Sequence, residues 1–410
     1  MKILFIAYYF QPEPNFMALP FAKKLMEFGH EVEVLTGFPN YPGGRVYEGY
    51  RIRLLQREVL EGVPIIRVPL YPSHDRSSFR RIISYVSLAA SQSTIGAFSV
   101  KPADVAFVNQ GPVTLGLPAC VLRLLRRIPF VCAIQDLWPD TLPATGMFDS
   151  KVGLKLIDVW CNFVYKCASK IVVISPGFKK KLCERGIPAD KIEVIYNWCD
   201  DTLIHPDEPD PKLRKQLKLE NRFNIMFAGN MGKLQSLGVV LEAAKIIAPE
   251  YPNVQFVFVG SGVEEEPLKQ KAADMSLKNV LFIARQPMSE ISRVLSLAEV
   301  LFVHLKDDPL FRITVPGKTQ AYLAVGRPIL MGVKGDTADL VARAKAGLPC
   351  EPENPNSIAE AVRKFMGMSQ AELDKMGENG KRFYEQELSF DIGARKYEKN
   401  FYSAVEGTNK

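Results

Sequence analysis

The pattern that most limits this chain is an alternation, met twice, between short apolar runs rich in β-branched residues and segments of helix length. In the first half the runs are KILFIAYYF, HEVEVLTG, ADVAFVN, PFVCAIQD, KIVVIS and KIEVIYN. Strands that are apolar almost throughout are buried on both faces, so these predict an α/β fold with helices covering a parallel sheet. After Asn197 the pattern lapses into DDTLIHPDEPDPKL, an acidic, proline-bearing stretch that reads as a linker. It resumes as FNIMFAG, VQFVFVG, NVLFIA, EVLFVHL and RPILMGV, the strands of a second α/β domain. The expected division is a first domain at 1–197, a linker at 198–220, a second domain at 221–388 and a C-terminal helix at 389–410. Near the end, Ser357 and Glu360 have the spacing of a capping box that opens a helix.

Composition removes several classes of function. Four histidines (30, 74, 205, 304) are scattered, and seven cysteines form no CxxC pair and no close Cys/His spacing, so no metal cluster is expected. The cysteines read as free thiols, which fits a cytoplasmic location. The start, MKILFIAYYF, is followed by QPEP rather than a small-residue cleavage site and reads as a buried first strand. The longest uncharged run, Ile82 to Val100, is interrupted by serines and is too polar for a membrane span.

Charge is distributed unevenly. Residues 1–195 carry 24 Lys and Arg against 16 Asp and Glu, whereas the remainder carries 28 against 29, so the excess of +8 belongs to the first half. That half is expected to face an anionic partner. One candidate contact is the segment with Arg76, Arg80 and Arg81 beside Phe79, Ile82, Ile83 and Val86, read either as an interfacial helix on an anionic membrane or as a core helix with a charged edge. Nucleic acid is not expected, because no aromatic recognition pattern accompanies the charge.

In open α/β sheets ligands sit at the carboxyl ends of strands, which directs attention to the loops there. FNIMFAG is followed by Gly229, Asn230, Gly232, Lys233 and Gln235: glycines that admit close backbone approach and donors that suit a diphosphate, or else a generic turn with a solvated lysine. It is neither a GxGxxG nor a Walker loop, so NAD and ATP gain little support. Gly260 begins a second glycine turn, and Arg285 and Gln286 follow NVLFIA where a base edge can be read. The most informative segment runs from Phe311 and Arg312 through Pro316, Gly317, Lys318 and Thr319 into AYLAVGRPIL. Proline and glycine ahead of a helix leave its first N–H groups free, and Lys318 and Thr319 add a charge and a hydroxyl, a combination suited to a diphosphate leaving group, or else simply an ordinary proline-started helix. In the first half, Glu13 and Asn15 follow the first strand, and Gln135, Asp136, Trp138 and Asp140 gather carboxylate, amide and aromatic groups of the kind that grip a sugar, or else supply a capping Asp136 beside a core Trp138.

Taken in order, GHEVEVLTG, the loop at 135–140, KIEVIYNWCD, GNMGKLQSLG, FVGSG and VPGKTQAYLAVGRPIL resemble family-4 glycosyltransferases, in particular the bacterial branch of colanic-acid-type fucosyltransferases and O-antigen or capsule sugar transferases. The resemblance implies a GT-B architecture: two Rossmann-like domains facing across a cleft, the first binding acceptor and the second a nucleotide-sugar, with the C-terminal helix returning to the first. It also implies a nucleoside-diphosphate-sugar donor, usually UDP-linked, transfer with retention, no required metal or cofactor, and a saccharide or polyprenyl-diphosphate-linked acceptor. Two departures stand out: Ile313 and Ala321 occupy positions where many members carry glutamates, and Asn230 and Gln235 stand where they carry arginine and lysine. Lys318, Gln235 and Asp136 are therefore the expected catalytic residues. Glu13, Asn15 and Trp138 are expected on the acceptor side, and Arg312 and Lys233 as added charge for the donor. The alternatives are a nucleotide-sugar 2-epimerase of the same plan and a partner subunit that keeps the fold without activity.

Overall fold

The computed structural model describes residues 1–14, 17–74, 78–144 and 150–407, and its contacts divide the chain into two units. The first comprises Met1–Ile195 together with the chain from Ala394 onward; the second is Tyr196–Gly393. Each is an α/β unit built on its own sheet.

Among the described residues, the first sheet contains β1 (Lys2–Ile6), β2 (Glu31–Gly37), β3 (Gln56–Leu60), β4 (Val63–Val68), β5 (Val105–Gln110), β6 (Phe130–Ile134), β7 (Lys170–Val173) and β8 (Ile192–Val194). Their order is β3-β4-β2-β1-β5-β6-β7-β8, parallel except for the β3–β4 hairpin. That hairpin has no counterpart among the expected strands. Its outer strand alternates between exposed and half-buried residues instead of forming an apolar run, and its turn places Glu61 and Gly62 at φ +48° and +86°, a two-residue hairpin geometry. The C-terminal helix Phe390–Glu406 returns to this unit: Tyr397 and Phe401 pack on Phe107, and Glu398 bonds His30 at 2.8 Å. His30 therefore serves structure.

The second sheet contains β9 (Phe223–Asn230), β10 (Val254–Ser261), β11 (Val280–Ile283), β12 (Val300–His304), β13 (Ile329–Gly332) and β14 (Gly347–Pro349), ordered β11-β10-β9-β12-β13-β14 and parallel throughout. Chain order runs outward in both directions from β9 and β12, so the switch point of this doubly wound sheet lies between the loops that follow these two strands. The stretch read as a linker packs into this unit: Ile204 and Leu219 are core residues, and Arg214 bonds Glu299 at 3.0 Å.

The capping box expected at Ser357 and Glu360 lies elsewhere. The helix Pro355–Met366 begins two residues before Ser357, with Asn354 as its cap accepting from the Ser357 N–H, because Pro355 suits the first helical position. Ser369 and Glu372 form the box, opening Gln370–Phe383.

Candidate functional site

In the second unit, β9 and β10 end side by side with Gly229 opposite Gly260 and Asn230 opposite Ser261. Gly229 and Gly260 have φ +138° and +140°, and a β-carbon on Gly260 would lie 2.0 Å from the Gly229 carbonyl. Only glycine allows the two strand ends to approach so closely. The buried Met231 stitches the loops together, donating from its N–H to Ser261 O at 2.8 Å and accepting from the Glu264 N–H at 2.9 Å. Gln235 then closes the first loop, its Oε1 accepting from the Gly232 N–H at 2.9 Å.

Across the switch point, the helix Gly317–Val325 starts at Pro316, and its Tyr322 hydroxyl is fixed to strand β9 by accepting from Ala228 N at 2.8 Å. This places Lys318 under Gly229. The Lys318 Nζ lies 3.5 Å from the centre of the Phe227 ring and 3.2 Å from where a Gly229 β-carbon would be. It is closed to solvent and has no hydrogen-bond partner. Desolvation lowers its pKa from 10.5 to about 7, and the ring face offers the ammonium only modest compensation. The Thr319 hydroxyl beside it is likewise buried and unpartnered. Gln320 is turned inward, its amide reaching Pro316 O at 2.8 Å in the orientation that satisfies its neighbours.

His304 ends β12 and braces the same corner. Its Nδ1 donates to Gln235 O at 2.7 Å, and its Nε2 accepts from Glu353 N at 3.1 Å. Burial lowers its pKa, and Lys318 adds to the effect, so the ring is a neutral strut with both nitrogens occupied. Glu353 bonds Ser236 Oγ and Asp307 N, each at 2.9 Å. The sequence reading did not assign His304, Glu353, Phe227 or Tyr322 to this site. Their signal lay only in their position at, or facing, the ends of β9 and β12.

The other expected donor residues are placed differently. Asn230 and Lys233 are exposed on the glycine loop. The Arg312 guanidinium is held by Asp307 at 2.8 Å, and with Lys334 it keeps the Asp307 carboxyl below the usual carboxylate range. Arg285 and Gln286 follow the edge strand β11, outside the switch point, and Gln286 bonds Ala284 O in its own turn. Ala321 packs against the core.

In the first unit, Glu13 is buried, and its carboxylate accepts from three backbone N–H groups, Asn40 at 2.8 Å, Tyr41 at 2.9 Å and Phe10 at 3.2 Å. Arg67, also buried, joins the same loops by donating to Gly37 O and Gln11 O at 2.9 and 2.6 Å. Asp136 is solvent-accessible, yet desolvation by the surrounding protein raises its carboxyl above the ordinary value. Trp138 is half-buried and tied by its carbonyl to Arg185 at 2.8 Å, while Arg185 also pairs with Asp140. Asn15 and Arg76 lie outside the described residues. Among the described residues, no group of three or more His, Cys, Asp or Glu is placed to hold a metal ion.

Two family descriptions match the chain, Glycosyl transferase 4-like domain over residues 15–198 and Glycosyl transferases group 1 over residues 209–383. The putative colanic acid biosynthesis glycosyl transferase WcaI of Escherichia coli K12 is 28% identical over 385 residues, covering 89% of this chain and 92% of that protein. The probable glycosyltransferase WbjE of Pseudomonas aeruginosa is 23% identical over 298 residues, 72% and 73% of the two chains. In fold, the chain is similar to Anabaena HepE in complex with UDP, with a TM-score of 0.73 at 16% identity, over 98% of this chain and 100% of the other. Both halves of the chain match glycosyl transferase families, so the chain is a glycosyltransferase, and it has the GT-B fold.

Proposed function

We propose that this enzyme transfers a sugar, with retention of anomeric configuration, from a UDP-linked donor to a saccharide or polyprenyl-diphosphate-linked acceptor in bacterial surface polysaccharide assembly, working at the inner face of the cell membrane. The observation that carries the donor site is the unpartnered Lys318 ammonium beneath the Gly229 strand end, next to a helix N-terminus and the free Thr319 hydroxyl. A diphosphate there meets an amine that has given up its water, has no counter-ion and gains a proton as the anion arrives. As the glycosidic bond breaks, charge grows on the phosphate, and fixed N–H groups and Lys318 stabilise it, with no metal in the scheme. Gln235 shapes the glycine loop rather than offering its oxygen to substrate. Asp136 and Trp138 are assigned to the acceptor.

The similarity to WcaI over 92% of its length supports the polysaccharide reading, and a GT-B protein solved with UDP supports the donor class. Calorimetry with UDP, followed by turnover of UDP-sugars on lipid-linked acceptors with NMR assignment of the product anomer, tests it. An inverted product, or UDP affinity unchanged in Lys318→Ala, overturns the mechanism.

A further inference from the structure

Two helices of the first unit carry apolar stripes that face outward. On Ser78–Ser91, Phe79, Ile82, Ile83 and Val86 follow the i, i+3, i+4, i+7 spacing of a buried face, yet Phe79 is 71% and Val86 52% exposed. On Lys151–Cys167, Val152, Leu156, Val159 and Phe163 form a second such stripe, and Val152 is 73% and Leu156 67% exposed. Both helices do pack on the unit by their other faces, where Ser84 bonds Tyr8 at 2.7 Å and Cys161, Val164 and Tyr165 are buried.

They flank a shared neighbour. The segment Val113–Leu115 and the helix Gly116–Arg126 lie between them: Thr114 bonds Tyr85 O on one side, Trp160 Nε1 bonds Val113 O on the other, and a β-carbon on Gly116 would strike Val164 at 2.5 Å. The stripes thus belong to one side of the unit. An exposed apolar surface spread over two helices needs a partner.

Charge chooses among partners. The two helices bear Arg80, Arg81, Lys151, Lys155 and Lys166 against one acid, Asp158, which lies 3.9 Å from Arg185. Lys155 and Arg80 sit within a turn of the stripe residues, where long side chains can lay their carbons on apolar surface and raise their charge to phosphate level. A second copy of this chain, docked face to face, would set these cations against their own kind. We propose that the outward faces of Ser78–Ser91 and Lys151–Cys167 together dock the enzyme on an anionic phospholipid bilayer, inserting the two apolar stripes to interfacial depth. Among the described residues no helix is long and apolar enough to cross a membrane, so this contact lies along the surface. The proposal rests on the membrane-side reading above, and its test does not depend on the donor.

Flotation of the full chain with vesicles of phosphatidylcholine alone, or mixed with phosphatidylglycerol, reads it directly at low salt. Binding is expected to the mixed vesicles and not to the neutral ones, and Phe79→Ser combined with Leu156→Ser should weaken it by at least ~10-fold while UDP affinity is unchanged. Should that variant fail to fold, Lys151→Glu with Lys155→Glu supplies the second arm, with the same loss expected. The proposal is overturned if the wild type does not float with anionic vesicles, if variants float equally, or if the apolar substitutions instead abolish a concentration-dependent dimer. Vesicle binding without UDP binding would sink the donor reading and leave this one standing.

Discussion

The Lys318 ammonium lies 3.5 Å from the centre of the Phe227 ring and has no hydrogen-bond partner. Desolvation holds its pKa near 7 against an ordinary 10.5. Between these values the unfolded chain binds a proton that the folded, unliganded chain does not, so this group makes stability climb as pH rises from about 7 toward 10. An anion beside Nζ reverses the preference. At pH 8, UDP binding should therefore take up close to one proton, seen as a calorimetric enthalpy that varies with the buffer's ionisation enthalpy, and the uptake should vanish in Lys318→Met. The same substitution should raise the melting temperature at pH 7 while lowering turnover at least ~100-fold. Buffer-independent enthalpies in the wild type would rule this account out.

The glycine pair predicts a separation of folding from binding. In Gly260→Ala the new β-carbon meets the Gly229 carbonyl at 2.0 Å with φ at +140°, so a loss of about 2–4 kcal/mol in unfolding free energy is expected by urea titration. Gly317 has open space around it, and Gly317→Ala should stay within about 0.5 kcal/mol of wild type. A loss of UDP affinity there would then report on the ligand at the helix N-terminus. Equal stability of the two variants would contradict the described strand ends.

Tyr384 joins the two places where the chain passes between units. Its hydroxyl donates to Asp201 and accepts from Cys199 N at 3.2 Å, while Asp201 also accepts from Phe390 N at 3.0 Å. Tyr384→Phe removes the hydroxyl that Asp201 and the Cys199 N–H share, which costs about 0.5–1.5 kcal/mol because water can reach the exposed Asp201 carboxylate. A small lowering of the melting temperature is the expected calorimetric result; no change would mean that water replaces the hydroxyl.

Glu13 braces the loops after β1 and β2 with three N–H bonds. In Glu13→Gln one carboxylate oxygen becomes an NH2 group facing a donor, so a destabilisation of about 1–3 kcal/mol is expected in denaturant titration. If Glu13 instead serves only the acceptor, the acceptor KM would change with stability intact.

Periodicity and loop chemistry in the sequence were enough to mark two doubly wound sheets and the helix that starts at Pro316, because buried strands demand apolar runs and a helix start favours proline. They also marked Lys318 as a cation near that helix start. The β3–β4 hairpin escaped because its outer strand is half polar. The cap of the helix Pro355–Met366 lies at Asn354, three residues before Ser357, because Asn354 followed by Pro355 outcompetes it, and the box itself forms at Ser369 and Glu372. Nothing local in the sequence says that Lys318 folds inward against Phe227, that Gln235 spends its oxygen on Gly232, or that His304 has both nitrogens bound. Those outcomes depend on Tyr322 fixing a helix to a strand almost a hundred residues away. The stripes on Ser78–Ser91 and Lys151–Cys167 are the sharpest case: periodicity establishes that each helix has an apolar face, and only packing against the sheet decides that this face is turned to the outside.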